Sequence, residues 1–360
     1  MSNIFLVDLE SVETRYTGQW KDHIPRLLQG AGHNVQVISG PTDIPSATTP
    51  GAFLNFGGTN IYKASQVEQM GRLFCSGSVK PNSHFIFTDA WHPGIINLKY
   101  MSELLGIPVT IHALWHAGSY DPQDFLGRLI GNEPWVRHAE KAFYEAVDHN
   151  YFATQFHIDM FALNLFEAYG DYETWLDRQL INKKIIRSGW PMDYLTPVLF
   201  ESSKQPKRDL ILFPHRIAPE KQVEIFKDLA TAMPEYEWVV CQEQQLTKAE
   251  YHKLLGQSKI VFSANLQETL GISCYEALCV NALPLVPDRL SYSEMYLDVS
   301  KYPSEWTSSW NSYVANKDKL VAHIKQCMAD FDSMSSAIKQ QHDYLEENFF
   351  SAGALLKNLR

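Results

Sequence analysis

Two short stretches of this chain hold residues whose types and spacing could do chemistry. FPHRIAPEKQ, residues 213–222, carries Arg216 and Lys221, and SANLQETLGISCYEAL, residues 263–278, carries Glu268 and Glu276 on either side of Gly271. A guanidinium can grip a phosphate with two parallel hydrogen bonds, and an ammonium adds a point charge. Carboxylates only accept hydrogen bonds, which suits them to the hydroxyls of a polyol. If a helix starts near Thr269 to Gly271, its first backbone N–H groups lack partners within the helix and form a site for a phosphate. A glycine there lets a ligand approach closely. Two carboxylates around an anion-binding turn fit a molecule with sugar hydroxyls at one end, phosphate in the middle and ribose at the other. SCYE, Ser273 to Glu276, also matches a capping box, a purely structural role. Glu268 has no such alternative.

Elements that could position these residues recur along the chain. Short apolar runs alternate with longer helical patterns, the signature of parallel sheets with crossover helices. In the first half the pattern predicts strands over 3–9, 34–39, 52–57, 84–89, 108–115 and 150–154, with helices near 19–30, 64–75, 95–105, 134–147 and 156–168. It restarts with strands over 184–189, 209–214, 237–241, 259–264 and 282–287. SGWPMDYLTPVLFESSKQPKRD mixes proline, serine and charge and reads as a hinge and linker. The expected organisation is an α/β chain with a Rossmann-like domain over 1–188, a second over 189–335, and a C-terminal helical segment over 336–360 packing back toward the first. Two such domains facing a central cleft would bring ligands to the carboxyl ends of their strands.

The order Arg216-x4-Lys221 and then Glu268-x7-Glu276 resembles the donor-site residues of retaining glycosyltransferases of the GT-B architecture, the large family four in particular. RIAPEK is similar to that family's R-x-x-P-E-K loop, and QETLGISCYEALCVNALPLV to its E-x-F-G-x-x-x-x-E-A segment. The likeness is specific over roughly residues 185–295 and architectural before that. It implies that Arg216 and Lys221 bind the donor diphosphate and that Glu268 holds hydroxyls of the transferred sugar. Backbone groups at Thr269, Leu270 and Gly271 would touch sugar and phosphate, and Glu276 the ribose. Leu270 stands where the family commonly has phenylalanine. In the first half, YTGQWKDHIPRLL resembles the family's first loop and helix, with Gly18 admitting the ligand, and ALWHAGSYD places His116 where the family has a cleft histidine. Asp89 and His92 share that edge. The resemblance further implies front-face transfer with retention, no metal requirement, no cofactor, and a UDP- or GDP-sugar as donor substrate.

Composition narrows the class. The chain has 360 residues, 45% of them apolar, enough for about two domains on a prior of roughly 150 residues each. A formal charge of −10 argues against a broadly basic nucleic-acid binder. Five scattered cysteines without paired spacing read as structural thiols, and no His/Cys/carboxylate cluster has convincing ligand spacing. No apolar run approaches the ~18 residues of a membrane span, and MSNIFLVDLE lacks a basic leader, so a cytoplasmic protein is expected. PDRLSYSEMY, 287–296, resembles enzymes that mannosylate the queuosine base of tRNA and phage enzymes that glycosylate hydroxymethylated pyrimidines. That makes a DNA or RNA base the leading acceptor, with Trp20, Trp91, Trp115 and Tyr120 as stacking candidates and Arg15, Lys21 and Arg26 for phosphates. A glycan, lipid or small molecule is the alternative acceptor. A hydrolysing sugar-nucleotide epimerase or a non-catalytic nucleotide-sugar binder are the readings of another class.

Overall fold

The computed structural model describes residues 2–11, 16–45, 54–168 and 170–359. The chain divides into two compact units, Met1–Pro191 with Ala352–Arg360, and Met192–Ser351. In the first unit six strands pair in parallel: β1 Asn3–Val7, β2 Asn34–Ile38, β3 Ser83–Phe87, β4 Val109–Trp115, β5 His149–Phe152 and β6 Ile185–Arg187, in the order β2-β1-β3-β4-β5-β6. A parallel sheet is covered on both faces by its crossover helices, so its central strands must be apolar on both sides. Ile4 to Val7 and Phe85 to Phe87 are buried without alternation for that reason. Phe5, Phe85, Ile111, Trp115, Phe152 and Phe161 anchor the core.

The second unit repeats the plan with β7 Leu210–Phe213, β8 Glu237–Val240, β9 Ile260–Phe262, β10 Leu283–Pro287 and the short β11 Lys301–Tyr302, in the order β11-β10-β9-β7-β8. From β7 the chain runs outward to β8 on one side and then returns to β9 on the other. The carboxyl edge between β7 and β9 is therefore a topological switch point, where successive loops splay apart and leave room for a ligand. The first sheet has its switch between β1 and β3.

Several sequence expectations are corrected. The strand expected over 52–57 has its first residues outside the described set, and its remainder starts a helix: the Asn55 side chain accepts from Gly58 N at 2.9 Å and caps Phe56–Cys75. The run over 184–189 supplies β6 of the first sheet, paired to β5, rather than opening the second. Within the expected linker, Leu195–Ser203 is a helix that buries Leu195 and Leu199. The segment over 336–360 splits. Helix Ser335–Phe349 buries Ile338, Gln341, Leu345 and Phe349 along one stripe and stays in the second unit, where Phe350 stacks on Tyr275 at 3.8 Å. Only Ala352–Arg360 returns to the first unit, with Ser2 Oγ donating to Leu359 O at 3.2 Å. Among the described residues no helix is long and apolar enough to cross a membrane.

Candidate active site

The loops after β7 and β9 leave the switch point of the second sheet side by side, because those strands are hydrogen-bonded neighbours. Lys221 ends a 3-10 turn, Pro219–Lys221, and Gln222 takes a left-handed conformation (φ 52°) to start helix Val223–Ala232. Leu266 N donates to Glu220 O at 2.8 Å, tying the two loops together. The buried Lys221 ammonium donates to Gln267 O at 2.5 Å and lies 3.4 Å from both Gln267 Oε1 and Glu268 Oε2. Arg216 Nη2 reaches the fully buried Glu220 carboxylate at 2.5 Å. Lys221 thus meets the Glu268 turn, whereas Arg216 pairs with Glu220, so each cation holds a protein acceptor.

Glu268 folds onto its own turn. Its Oε1 accepts from Thr269 N at 3.2 Å and Leu270 N at 3.4 Å, and Oε2 accepts from Asn265 Nδ2 at 3.4 Å. Burial opposes the charge, but Lys221, His215 and the N–H groups of Leu270 and Gly271 outweigh it and hold the carboxyl below the ordinary glutamate value. Gly271 adopts φ +81°, and a Cβ there would meet Tyr292 Cε1 at 2.9 Å, so the turn requires glycine twice over. It is the N-cap of helix Ile272–Cys279, whose first backbone bond runs from Cys274 N to Gly271 O. Leu270 is buried, so the position calls for an apolar side chain of either type.

Glu276 sits a turn further in, buried, with Tyr251 Oη donating to Oε2 at 2.9 Å. Burial raises its pKa, against the opposing pulls of Tyr251 and Lys248. The two glutamates are therefore not a matched pair. The capping-box alternative for Ser273 and Glu276 fails, since Ser273 lies inside the helix. The structure builds that motif at Thr247 and Glu250 instead.

Sequence reasoning missed the residues behind the turn. His215 presents its ring edge to Phe213 and places Nδ1 3.4 Å from Ser273 Oγ. Burial, helped by Lys221 and opposed by Glu268, drives its pKa to about 3, so it is neutral. PDRLSYSEMY turns inward: Arg289 donates to Asn265 O at 2.7 Å, Ala264 O at 2.8 Å and Ser304 O at 2.9 Å. Tyr292 Oη lies 3.2 Å from Ser263 Oγ and 3.0 Å from Asn265 Nδ2. The stretch that suggested a nucleic-acid acceptor buttresses the Glu268 turn. Its signal was a lone arginine amid aromatics next to an apolar strand.

The first unit places the remaining candidates. His116 follows β4. Its Nε2 lies 2.6 Å from Thr88 O, and because a carbonyl can only accept, Nε2 carries the proton. In the neutral ring Nδ1 is then an acceptor, facing Tyr16 Oη at 2.7 Å. Trp20 and Trp190 complete a ring cluster around it. Gly18 lies inside helix Tyr16–Gly30 rather than in a loop ahead of it, and Arg15 falls outside the described residues. Asp89 pairs with Lys63 at 2.8 Å. Burial works against its charge, but Lys63 and then His116 bring its pKa to about 2. His92 is packed, its ring nitrogens at Gln66 Oε1 (3.0 Å) and Gly94 N (2.9 Å). Trp115 and Tyr120 are core, bonded to Asn150 and His157, which removes them as stacking platforms. Trp91 donates to the buried Glu140, which also takes the N–H and hydroxyl of Ser119 and so fixes the loop after His116.

No protein-family model matches the chain, and no curated protein matches it in sequence. Solved structures do. The catalytic domain of starch synthase IV from Arabidopsis thaliana, bound to ADP and acarbose, aligns with a TM-score of 0.58 at 12% identity over 99% of this chain and 97% of that one. Sucrose-phosphate synthase from Thermosynechococcus elongatus gives 0.58 at 13% over 100% and 97%. HepE of Anabaena, in complex with UDP and glucose, gives 0.57 at 11% over 100% and 98%. With its two parallel α/β units, the chain has the GT-B fold of these glycosyltransferases.

Proposed function

We propose that the chain is a retaining glycosyltransferase that moves a sugar from a UDP- or GDP-sugar to an acceptor hydroxyl. The observation that carries this reading is the buried Lys221 ammonium 3.4 Å from an ionised Glu268, at the switch-point edge of the second sheet and ahead of a helix that starts on an obligatory glycine. Burying such a pair costs desolvation energy that its mutual attraction barely repays, so its place at the ligand-binding end of a sheet favours function over stability. That solved structures of the same fold hold ADP or UDP with glucose supports the choice of ligand.

In this reading Lys221 and Arg216 neutralise charge on the departing diphosphate, Arg216 turning from Glu220. The backbone at Thr269 to Gly271 faces sugar and phosphate, Glu268 holds sugar hydroxyls, and Glu276 takes the ribose. Catalysis then rests on positioning and charge neutralisation, with the leaving diphosphate helping to deprotonate the acceptor. A hydroxymethylated or hypermodified nucleic-acid base as acceptor is supported by the sequence likeness of Pro287 to Tyr296 alone, and those side chains have internal work. The expected outcome of incubation with UDP- and GDP-hexoses and a panel of glycan, lipid and modified nucleic-acid acceptors is nucleoside diphosphate release with a glycosylated product of retained anomeric configuration. Mass spectrometry and NMR read it. Absence of release with every donor, or full release by Glu268→Ala, overturns the reading; release with an inverted product overturns retention alone.

A further inference from the structure

The ring cluster in the first unit has an unusual polar balance. Trp20 and Trp190 are 3% and 5% exposed, their centroids 5.4 Å apart at an interplanar angle of 70°. His116 lies 5.6 Å from Trp20 and 4.3 Å from Trp190, and Tyr16 covers all three at 5.1 to 5.9 Å. Both indole Nε1–H groups are buried without an acceptor among the described residues. Buried donors are almost always satisfied, and leaving one unpaired costs on the order of 1–3 kcal/mol. Two such donors lie in one cluster, beside a histidine whose Nδ1 faces a tyrosine hydroxyl.

We propose that Trp20, His116 and Trp190 form a subsite for the hydroxylated ring of a sugar, and that Tyr16 shuts it in the unliganded chain by occupying His116 Nδ1. The proposal rests on the glycosyltransferase reading and names a substrate-contacting surface within it. The chemistry selects the ligand. Two N–H donors and one acceptor nitrogen match hydroxyl groups, which accept and donate at once. The apolar ring faces suit the C–H face of a pyranose. The indoles meet as a corner at 70°, which leaves no parallel slot for a flat base. The nearby cation, Lys63, is held by Asp89 and Trp91 O.

The test uses the full chain, with the two indole N–H resonances assigned through Trp20→Phe and Trp190→Phe. UDP-glucose, GDP-mannose, free glucose, UDP, GDP and a short single-stranded oligonucleotide are the probes. The expected result is a downfield shift of both indole signals with at least one hexose-bearing probe and none with UDP or GDP. Tyr16→Phe keeps the ring but gives up the bond to His116, and should tighten binding of the responding probe about three- to tenfold, seen as a lower KM with kcat nearly unchanged. A merely structural Tyr16 would not split KM from kcat in that direction. If UDP or GDP binds while the indole signals ignore every hexose, or answer only the oligonucleotide, the subsite is overturned and the transferase reading survives. If neither a nucleotide nor a nucleotide sugar binds, both fall.

Discussion

The carboxyl edges of the two sheets share a topology and differ in their chemistry. At the second, between β7 and β9, Lys221, Glu268, Arg216 and Glu220 bring four formal charges into adjacent loops. At the first, the charged pair Lys63–Asp89 is closed on itself, and the groups beside it are His116 and aromatic rings. On the proposed reading, the difference assigns the departing diphosphate to the second edge and neutral hydroxyls to the first. A sheet edge supplies the place, and the loop residues decide what binds there.

The largest effect that would sharpen this contrast is on acid stability. Burial holds His92 and His157 of the first unit, and His215 of the second, at about 3, and also depresses His112 and His252. A histidine depressed on folding binds its proton more readily in the unfolded chain. Stability is therefore complete above about pH 6.5 and lost as pH falls below it, at up to about 1.4 kcal/mol per pH unit per histidine. The carboxyls of Asp8, Glu140 and Glu276, raised chiefly by burial, act in the opposite sense from their ordinary values upward and offset part of this loss. With His84, His92, His112 and His157 depressed in the first unit against His215, His252 and His323 in the second, the first unit should open first between about pH 6.5 and 4.5. Hydrogen exchange across the pH series checks the order, and earlier opening of the second unit would contradict it.

Next in size is the chemistry. Lys221→Ala or Glu268→Ala should lower transfer by at least ~10²-fold with the fold intact, as for loss of one charge-stabilising contact. His116→Ala should cost roughly tenfold or less, since one neutral hydrogen bond is worth about 0.5–1.5 kcal/mol. Equal losses in steady-state assays would break the division between the edges. Gly271→Ala should destabilise the second unit by about 1–2 kcal/mol, measured by urea denaturation, because it strains φ +81° and crowds Tyr292. An unchanged midpoint would show that the turn relaxes. Smallest is Glu276→Ala, expected to weaken donor binding about five- to tenfold by calorimetry while kcat holds, the size of one ordinary hydrogen bond. A fall in kcat equal to that of Glu268→Ala would make the glutamates equivalent, against their opposite electrostatic settings.

Much of the architecture was legible in the sequence. Short apolar runs such as LILF and FIF favour strands buried on both faces, and their alternation with helical stretches favours parallel sheets. The Glu268 turn was legible too, because Glu268, Gly271 and the following apolar helix are close in sequence and each answers a local demand. Errors arose where a local signal had two outcomes. AFLNFG is apolar enough for a strand, yet Asn55 caps a helix; the proline-rich linker still had Leu195 and Leu199 to bury.

By itself the sequence determined the element types, the two sheets and the order of the charged residues, because these follow from periodicity and from short-range backbone rules. Only the tertiary structure decided that Glu268 is held ionised by Lys221 while Glu276 is pushed toward neutrality beside Tyr251. It also decided that Arg289 and Tyr292 serve as a buttress and that Tyr16 caps His116. Protonation and hydrogen-bond partnership depend on burial and on neighbours distant along the chain, neither of which one-dimensional spacing can encode.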